Sequence, residues 1–396
     1  MNQLKQWVYN PIFRKDSTVF SVWMFLGLLY AVIKLLMGKF NNYRIFEHVF
    51  VHATNGQPLY VEYPEQYYDV NHYGLLFAAV IAPFAVLPEW LGMTLWILAN
   101  TIFLYYAISQ LPITHNQKIL IYWYAIFELM TAQGVQQFNI SIAAIIILTF
   151  VCVEKERDFW AAFLILLGAF IKIYPVVGLA FFFFSQHKVR FILYCLLWGV
   201  IFFFVPVLYT PGLDYTLEQY TEWFYSIQLK HGLNLFADAQ NVSLLGAVRK
   251  ISGCATYNDL WLIVPGLILF FIPYLRVVQY KNQAFRLMLL ANVLLFVVLF
   301  STGTEASGYV LAMIGVAIWY ICSPSSCSKY KNWLFIATLV IVGLSTTELV
   351  PSFIRNGFIR PYVVKAWPCI LVWLTVCYEM IFLDFRTISI GGTERK

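Results

Sequence analysis

Long uninterrupted apolar runs are the feature that most constrains the fold of this chain. The first, residues 17–38, is long enough to cross a bilayer core of about 30 Å, which takes roughly 20 helical residues. Only 12% of the 396 residues are charged and 61% are hydrophobic, whereas soluble domains carry about 25% charged residues. Because backbone polar groups in lipid must be satisfied within the segment itself, these runs predict membrane-spanning helices.

The distribution of the runs predicts an all-α, polytopic transmembrane bundle of about twelve spans, built as a single domain over residues 1–396. An even number of crossings returns the C-terminus to the side of the N-terminus. Both termini are expected in the cytoplasm, with the chain in a bacterial inner or plasma membrane. The predicted spans are 17–38, 73–88, 90–111, 117–132, 138–153, 158–185, 188–209, 259–275, 283–302, 305–322, 332–349 and 362–384.

Basic residues in the short loops test this topology, because cytoplasmic loops are enriched in Lys and Arg. Most basic loops agree with it, but counting the crossings from a cytoplasmic N-terminus puts Lys155 and Arg157 on the outer side. Either the run 158–185 is broken near residues 172–175 into two short re-entrant arms, or one earlier segment does not cross. Both alternatives remain open at this point.

Three polar stretches are predicted on the outer side, at residues 38–72, 210–258 and 346–368. The first is expected to carry short amphipathic helices, and it contains the carboxylates Glu47 and Asp69. A carboxylate that is partly desolvated at the membrane boundary can act as a general base toward a hydroxyl group. Both are therefore candidate catalytic residues, the alternative being that they are ordinary solvated loop residues.

Polar side chains near the predicted outer boundary are candidate ligands of a substrate: His72, Gln137, Asn139 and Glu305. Side-chain amides can donate and accept hydrogen bonds, as sugar hydroxyls require. Asn139 would equally suit the start of a capped helix.

Lys172 stands in a long apolar run and is followed by a proline, in the sequence GAFIKIYPVV. Charged residues inside a membrane cost at least about 2.5 kcal/mol at the bilayer centre, so they are candidate functional residues. Lys172 is therefore a candidate substrate-binding residue that would supply a positive charge. The structural alternative is that its side chain extends to the interface at the break.

Three cations, Arg355, Arg360 and Lys365, lie together in the third predicted outer loop. Short outer loops usually avoid Lys and Arg, so this cluster indicates an anionic partner. A phosphate at the headgroup level would suit arginine, which can bind it through two hydrogen bonds. Anchoring to anionic membrane lipids is the alternative.

Carboxylates, amides, aromatic rings and an anion site at one membrane face are what transfer of a sugar from a lipid phosphate requires. The sequence contains no GxxxxGK[ST], HExxH or GxSxG motif, so nothing points to nucleotide hydrolysis, zinc proteolysis or serine hydrolysis. The formal charge of +6 lies mostly in short loops and does not indicate binding of nucleic acid.

The order of short motifs along the chain resembles glycosyltransferase family 87, a family of polytopic GT-C-type enzymes that use polyprenyl-phosphate sugars. The final motif, R-P-Y-x-x-K-x-x-P-C, extends the resemblance to the last outer loop. The motifs are N-N-Y-x-I-F at 41–46, N-G-x-x-L-Y at 55–60, Y-x-V-x-x-Y-G-x-x-F at 68–77, P-F-A-V-L-P at 83–88, Q-x-N at 137–139, I-K-I-Y-P at 171–175 and the final one at 360–369.

One departure from the family pattern concerns catalysis. The resemblance implies a catalytic aspartate at the position of Asn42, and an asparagine cannot take a proton at neutral pH. Asn42 therefore stays on the list of catalytic positions, and either Glu47 or Asp69 is expected to serve as the base.

The resemblance implies an inverting transfer of a hexose, typically mannose, from a polyprenyl-phosphate donor to a lipid or glycan acceptor. Membrane lipids are its other expected partners, and no cofactor or metal is expected. Two rival hypotheses remain: a lipid or sugar transporter or flippase, for which a broken helix would be typical, and a catalytically inactive GT-C relative.

Overall fold

The computed structural model describes residues 11–386 apart from 238, 255, 325–328 and 348, together with residue 388. Across these residues the chain is helical and contains no strand. Both termini, whose location was predicted, lie outside the described residues.

The α-helices are α1 (Asp16–Met37), α2 (Asn41–Thr54), α3 (Phe77–Ala85), α4 (Glu89–Ser109), α5 (His115–Gly134), α6 (Asn139–Glu154), α7 (Asp158–Ile171), α8 (Lys188–Phe204), α9 (Leu213–Asn234), α10 (Leu244–Ser252), α11 (Leu260–Phe271), α12 (Gln283–Leu299), α13 (Tyr309–Cys322), α14 (Lys329–Leu344), α15 (Ser352–Ile354) and α16 (Ala366–Phe382). The 3₁₀ segments are Pro11–Arg14, Tyr174–Phe184, Val205–Leu208, Ile272–Leu275, Val277–Lys281 and Ala306–Gly308, and a π-helical turn covers Arg355–Ile359.

The described residues include three helical segments that are long and apolar enough to cross a membrane: Asp16–Met37, Glu89–Ser109 and Lys188–Leu208. The described residues also include several shorter apolar helices. Helices α6, α12 and α13 are buried along nearly their whole length and form the centre of the bundle. Helices α1, α8 and α11 instead expose large apolar side chains such as Leu36, Leu196 and Trp261, which suits contact with lipid.

Local signals in the sequence account for several helix ends. Thr114 and Gln117 form a capping box at the start of α5, which satisfies two backbone N–H groups that a helix start leaves unpaired. Asn282 accepts hydrogen bonds from the first backbone N–H groups of α12. Helix α1 ends at Gly38, whose φ of 63° lies in the left-handed region that glycine adopts without a steric penalty.

Two predicted spans differ from the structure. The segment 73–88 forms only α3, a helix of nine residues and therefore about 14 Å long at 1.5 Å per residue, which is too short to cross a membrane. The run 158–185 is broken, as one of the two alternatives required: α7 ends at Ile171, and the 3₁₀ segment Tyr174–Phe184, here called the 3₁₀ arm, follows.

The break at Lys172 reverses the direction of the chain. Lys172 has an extended backbone, and Pro175 stands at the start of the 3₁₀ arm, a position that suits its fixed φ. A Cβ on Gly168 would collide with the ring of Pro175, so the glycine allows the two arms to lie close together. At the far end of the arm, the Ser185 hydroxyl donates to Asp158 at the start of α7, at 2.8 Å.

The two ends of the bundle are distinct. At one end, here called the site end, the polar loops meet: the N–H of Gly74 donates to the carbonyl of Ile171 at 2.9 Å, and Asn42 donates to the carbonyl of Val135 at 2.8 Å. At the opposite end, Arg286 pairs with Glu154 at 2.7 Å. The reversal at Lys172 therefore brings residue 172 to the site end.

A buried ion pair joins the third polar loop to the bundle. The Lys365 ammonium donates to both carboxylate oxygens of Glu128 in α5, at 2.9 and 2.8 Å, and the two side chains are 1% and 0% exposed. Lys365 also donates to the Thr346 hydroxyl at 3.2 Å and lies over the ring of Tyr309. Such a pair is stable only while both charges are present, because either one alone would be buried without compensation.

We expect Lys365→Met to lower the free energy of unfolding by about 3–5 kcal/mol, because it leaves the Glu128 carboxylate unpaired in the interior. The double variant Glu128→Leu with Lys365→Met should recover most of this loss. Thermal unfolding in detergent measures both, and equal melting temperatures for the single and double variants would contradict the prediction.

Candidate active site

A cavity of about 270 Å³ opens at the site end. It lies between α2, the loop 69–74, the break at Lys172, the polar side of α9 and the segment 301–305. Six of the residues predicted from the sequence line it: Asn42, Asp69, His72, Gln137, Lys172 and Glu305.

The backbone around Asp69 is held in an unusual conformation. Asp69 has a φ of 74°, in the left-handed region that aspartate tolerates better than most residues. The Asn41 side chain holds the preceding peptide, donating to the carbonyl of Tyr68 at 2.7 Å and accepting from its N–H at 2.8 Å. Asp69 thereby faces α9, where its carboxylate pairs with the Lys230 ammonium at 3.4 Å.

The rest of this loop is fixed by the chain around it. A Cβ on Gly74 would collide with the carbonyl oxygen of Phe170 and crowd the ring of Trp223, so only glycine fits there. The Trp223 indole donates to the carbonyl of His72 at 3.0 Å, and the Tyr60 hydroxyl donates to the carbonyl of Tyr73 at 3.0 Å. The side chains of Asp69 and His72 therefore project from a rigid loop.

His72 lies beside both charged groups. Its Nδ1 is 2.7 Å from the Ser226 hydroxyl, and its Nε2 is 4.0 Å from the Asp69 carboxylate. Burial lowers the pKa of His72 to about 4, with Lys230 and Lys172 lowering it further and Asp69 opposing them. At neutral pH the ring is therefore uncharged and can both donate and accept a hydrogen bond.

Lys172 projects from the break into the cavity. Its ammonium donates to the Asn139 amide oxygen at 3.1 Å and lies 5.4 and 5.0 Å from the ring centroids of Tyr73 and Tyr174. These contacts orient the ammonium and partly compensate its loss of hydration. They leave it able to donate to an anion in the cavity, because an ammonium group has three N–H bonds.

A hydrogen-bonded network of side chains connects Lys172 to Glu305. Asn139 donates to Gln137 at 2.8 Å and to Ser307 at 2.9 Å, and the Ser307 hydroxyl donates to the Gln137 oxygen at 2.8 Å. Gln137 in turn donates to the Glu305 carboxylate at 2.5 Å. The network fixes Lys172 and Glu305 relative to each other, since each member is held by another.

Asn42 lines the cavity as a hydrogen-bond donor. Its side-chain amide donates to the carbonyl of Val135, which an ionised aspartate could not do. Asn42 therefore stabilises the structure through its amide, and an amide does not act as a base.

The other predicted site residues do not line the cavity. Glu47 is half-buried on α2; burial raises the pKa of Glu47, as does Glu89, while Arg44 lowers it. Arg355, whose guanidinium donates to the carbonyl of Thr347 at 3.0 Å, and Arg360 lie outside the lining as well. Lys365 forms an ion pair with Glu128. The three cations that the sequence grouped as an anion site therefore do not line this cavity.

Sequence reasoning missed the contribution of α9. Lys230, His231 and Asn234 line the cavity together with Trp223, and His231 lies 2.8 Å from the Thr302 hydroxyl. A signal was present, because Trp223, Ser226, Lys230 and Asn234 recur at intervals of three and four residues, which places them on one face of a helix.

The cavity places cations next to carboxylates. Lys172 and Lys230 supply positive charge, Asp69 and Glu305 supply acceptors, and Ile45 and Phe46 supply an apolar wall. In the described part of the chain, no group of three or more His, Cys, Asp or Glu side chains could hold a metal ion.

A concave cavity with apolar walls and a few convergent polar groups is the usual form of a small-molecule site in an enzyme. Comparison with protein families agrees: the model of glycosyltransferase family 87 matches residues 71–302, more than half of the chain. The protein belongs to glycosyltransferase family 87 and is a glycosyltransferase by family. None of the curated proteins compared with the chain matches it.

We expect Asn42→Asp to destabilise the site end by about 1–3 kcal/mol, because a carboxylate would replace the donor that now satisfies the carbonyl of Val135. Thermal unfolding in detergent measures the change, with Asn116→Asp, at an exposed position of α5, as the control. Equal stability of the Asn42→Asp variant and the natural protein would show that the amide is not needed there.

Proposed function

We propose that this glycosyltransferase moves a hexose, in the form of mannose, from a polyprenyl-phosphate donor to a hydroxyl group of a lipid or glycan acceptor. The observation that carries the proposal is the meeting of Lys172, Lys230 and Asp69 in one cavity. A phosphodiester donor needs cations at its phosphate, and the reaction needs a carboxylate on the other side of the sugar.

In this proposal the donor phosphate lies between the ammonium groups of Lys172 and Lys230. The apolar side chains Ile45, Phe46 and Ile173 line the same cavity and would contact the first isoprene units. The amides and hydroxyls of the cavity, including Gln137 and Thr302, would hydrogen-bond the sugar.

The chemical step is a single displacement at the anomeric carbon, with inversion. The acceptor oxygen forms the new bond to that carbon, and the bond from the carbon to the phosphate oxygen breaks with its electron pair. The acceptor proton passes to the Asp69 carboxylate, and the polyprenyl phosphate leaves with an added negative charge. Lys172 and Lys230 stabilise that charge as it develops, which lowers the barrier.

Of the two bases predicted from the sequence, Asp69 is the one that lines the cavity. We expect Asp69→Asn to reduce transfer by about 100-fold or more, a typical contribution of a general base. Glu47→Gln should retain transfer to within a few-fold, since Glu47 lies outside the lining. The assay is transfer of labelled mannose from polyprenyl-phosphate mannose to the lipid and glycan fraction of source membranes, by the reconstituted protein.

The matched control is Glu65→Gln, which removes an exposed carboxylate from the same loop and should leave transfer unchanged. Full transfer by Asp69→Asn would exclude Asp69 as the base. Binding of the donor without any transfer by the natural protein would favour a transporter or an inactive relative instead.

We also propose that the chain crosses the membrane twelve times in a GT-C-like arrangement, with both termini in the cytoplasm and the site end outside. Removing α3 from the predicted spans and counting α7 and the 3₁₀ arm separately leaves the number unchanged. Without α3 as a span, the helices from α4 to α7 cross the membrane in the direction opposite to the first prediction, so Lys155 and Arg157 fall on the cytoplasmic side. The added crossing by the 3₁₀ arm restores the predicted direction from α8 onward. This removes the one conflict with the positive-inside tendency.

Cysteine labelling tests this topology. In a background with Cys254→Ser, which removes an exposed thiol, Glu65→Cys should react with an impermeant maleimide in intact cells. Glu156→Cys, beside Lys155, should react only after the membrane is permeabilised. Labelling of Glu156→Cys in intact cells would overturn the proposed parity.

A further inference from the structure

Helix α9 lies over the cavity and is held to the loop 69–74 by polar contacts. Trp223 donates to the carbonyl of His72 at 3.0 Å, and the Ser226 hydroxyl donates to the carbonyl of Asn71 at 3.3 Å. One turn further along, the Lys230 ammonium lies 3.4 Å from the Asp69 carboxylate. Lys230 and Asp69 therefore face each other across the mouth of the cavity.

The two cations of the cavity are in different situations. Lys172 donates to an amide oxygen, that of Asn139, whereas Lys230 is paired with the carboxylate of Asp69. One carboxylate oxygen of Asp69 accepts from the backbone N–H of Val70 at 2.9 Å, and the other accepts from the Lys230 ammonium at 3.4 Å. In the arrangement seen here, both oxygens of the Asp69 carboxylate are therefore engaged, and Lys230 occupies one of them.

The ion pair between Asp69 and Lys230 can be replaced by other contacts at little cost in free energy. The Asp69 side chain is 56% exposed and that of Lys230 is 21% exposed, and ion pairs near solvent contribute little to stability. A phosphodiester between Lys172 and Lys230 would offer Lys230 a second anionic partner inside the less exposed cavity, where charge interactions are stronger.

We infer that Lys230 holds Asp69 in an ion pair until a lipid-phosphate donor binds, and then turns to the donor phosphate and releases the carboxylate toward the acceptor. This inference rests on the proposed function and adds an order to it. The donor binds first, and the base is set free only when a donor is present.

The test is a double-mutant cycle on the binding of citronellyl phosphate, a short isoprenoid phosphate, to the full-length protein in nanodiscs. Lys230→Met should weaken binding about tenfold, as expected for loss of a charged hydrogen bond. Asp69→Asn should tighten binding about two- to fivefold, because it removes the competitor for Lys230.

The decisive quantity is the effect of Asp69→Asn in the Lys230→Met background. If Asp69 and the phosphate compete for Lys230, the gain in affinity caused by Asp69→Asn should shrink or disappear in the Lys230→Met background. That variant lacks the ammonium for which the two anions compete. An equal tightening in both backgrounds would mean that Asp69 only repels the phosphate through its charge, which would overturn the inference.

Two further variants serve as controls. Lys230→Arg should keep most of the affinity and most of the tightening by Asp69→Asn, because it preserves the cation. Lys39→Met removes an exposed cation next to α2 that does not line the cavity, and it should leave binding unchanged.

The experiment separates failure of the inference from failure of the proposed function. If the natural protein does not bind citronellyl phosphate at all, the lipid-phosphate donor is wrong. If it binds, and Lys172→Met weakens binding while the Asp69 and Lys230 variants do not change it, the donor site stands and the inference falls.

Discussion

The candidate site depends on one constraint, that backbone polar groups in a membrane protein need partners when water is absent. A break in a helix at membrane depth is tolerated only where it is covered by protein or lines a cavity. The break between α7 and the 3₁₀ arm meets this condition: its carbonyl at Ile171 accepts from Gly74, and Lys172 enters the network of Asn139. The same break directs an ammonium into the cavity and joins it to the loop of Asp69.

The site is assembled from parts of the chain that are far apart in sequence. The loop 69–74 supplies Asp69 and His72, the break supplies Lys172, and α9 supplies Lys230 about 60 residues further on. Few of these side chains are held by apolar packing; polar contacts fix them. Polar contacts of this kind can be exchanged for contacts with a substrate at little cost in free energy, which suits a binding site.

The resemblance to the family implies a catalytic aspartate at the position of Asn42, and the structure shows what the asparagine contacts there. The amide of Asn42 donates a hydrogen bond to the carbonyl of Val135, so the residue has a structural role at this position. Asp69 lies in the same loop region and lines the same cavity. In the proposed function Asp69 therefore takes the role of the base, because of the two predicted bases it is the one that lines the cavity.

The sequence by itself determined the membrane class, the all-helical fold, the family, and six residues of the cavity, because hydropathy and the cost of an intramembrane charge act locally along the chain. The tertiary structure decided the rest. It separated Lys365, paired with Glu128, from the cavity, and it brought Lys230 to Asp69 across 161 positions. Pairing between distant charges depends on how the helices pack, and a linear pattern of residue types does not record that packing.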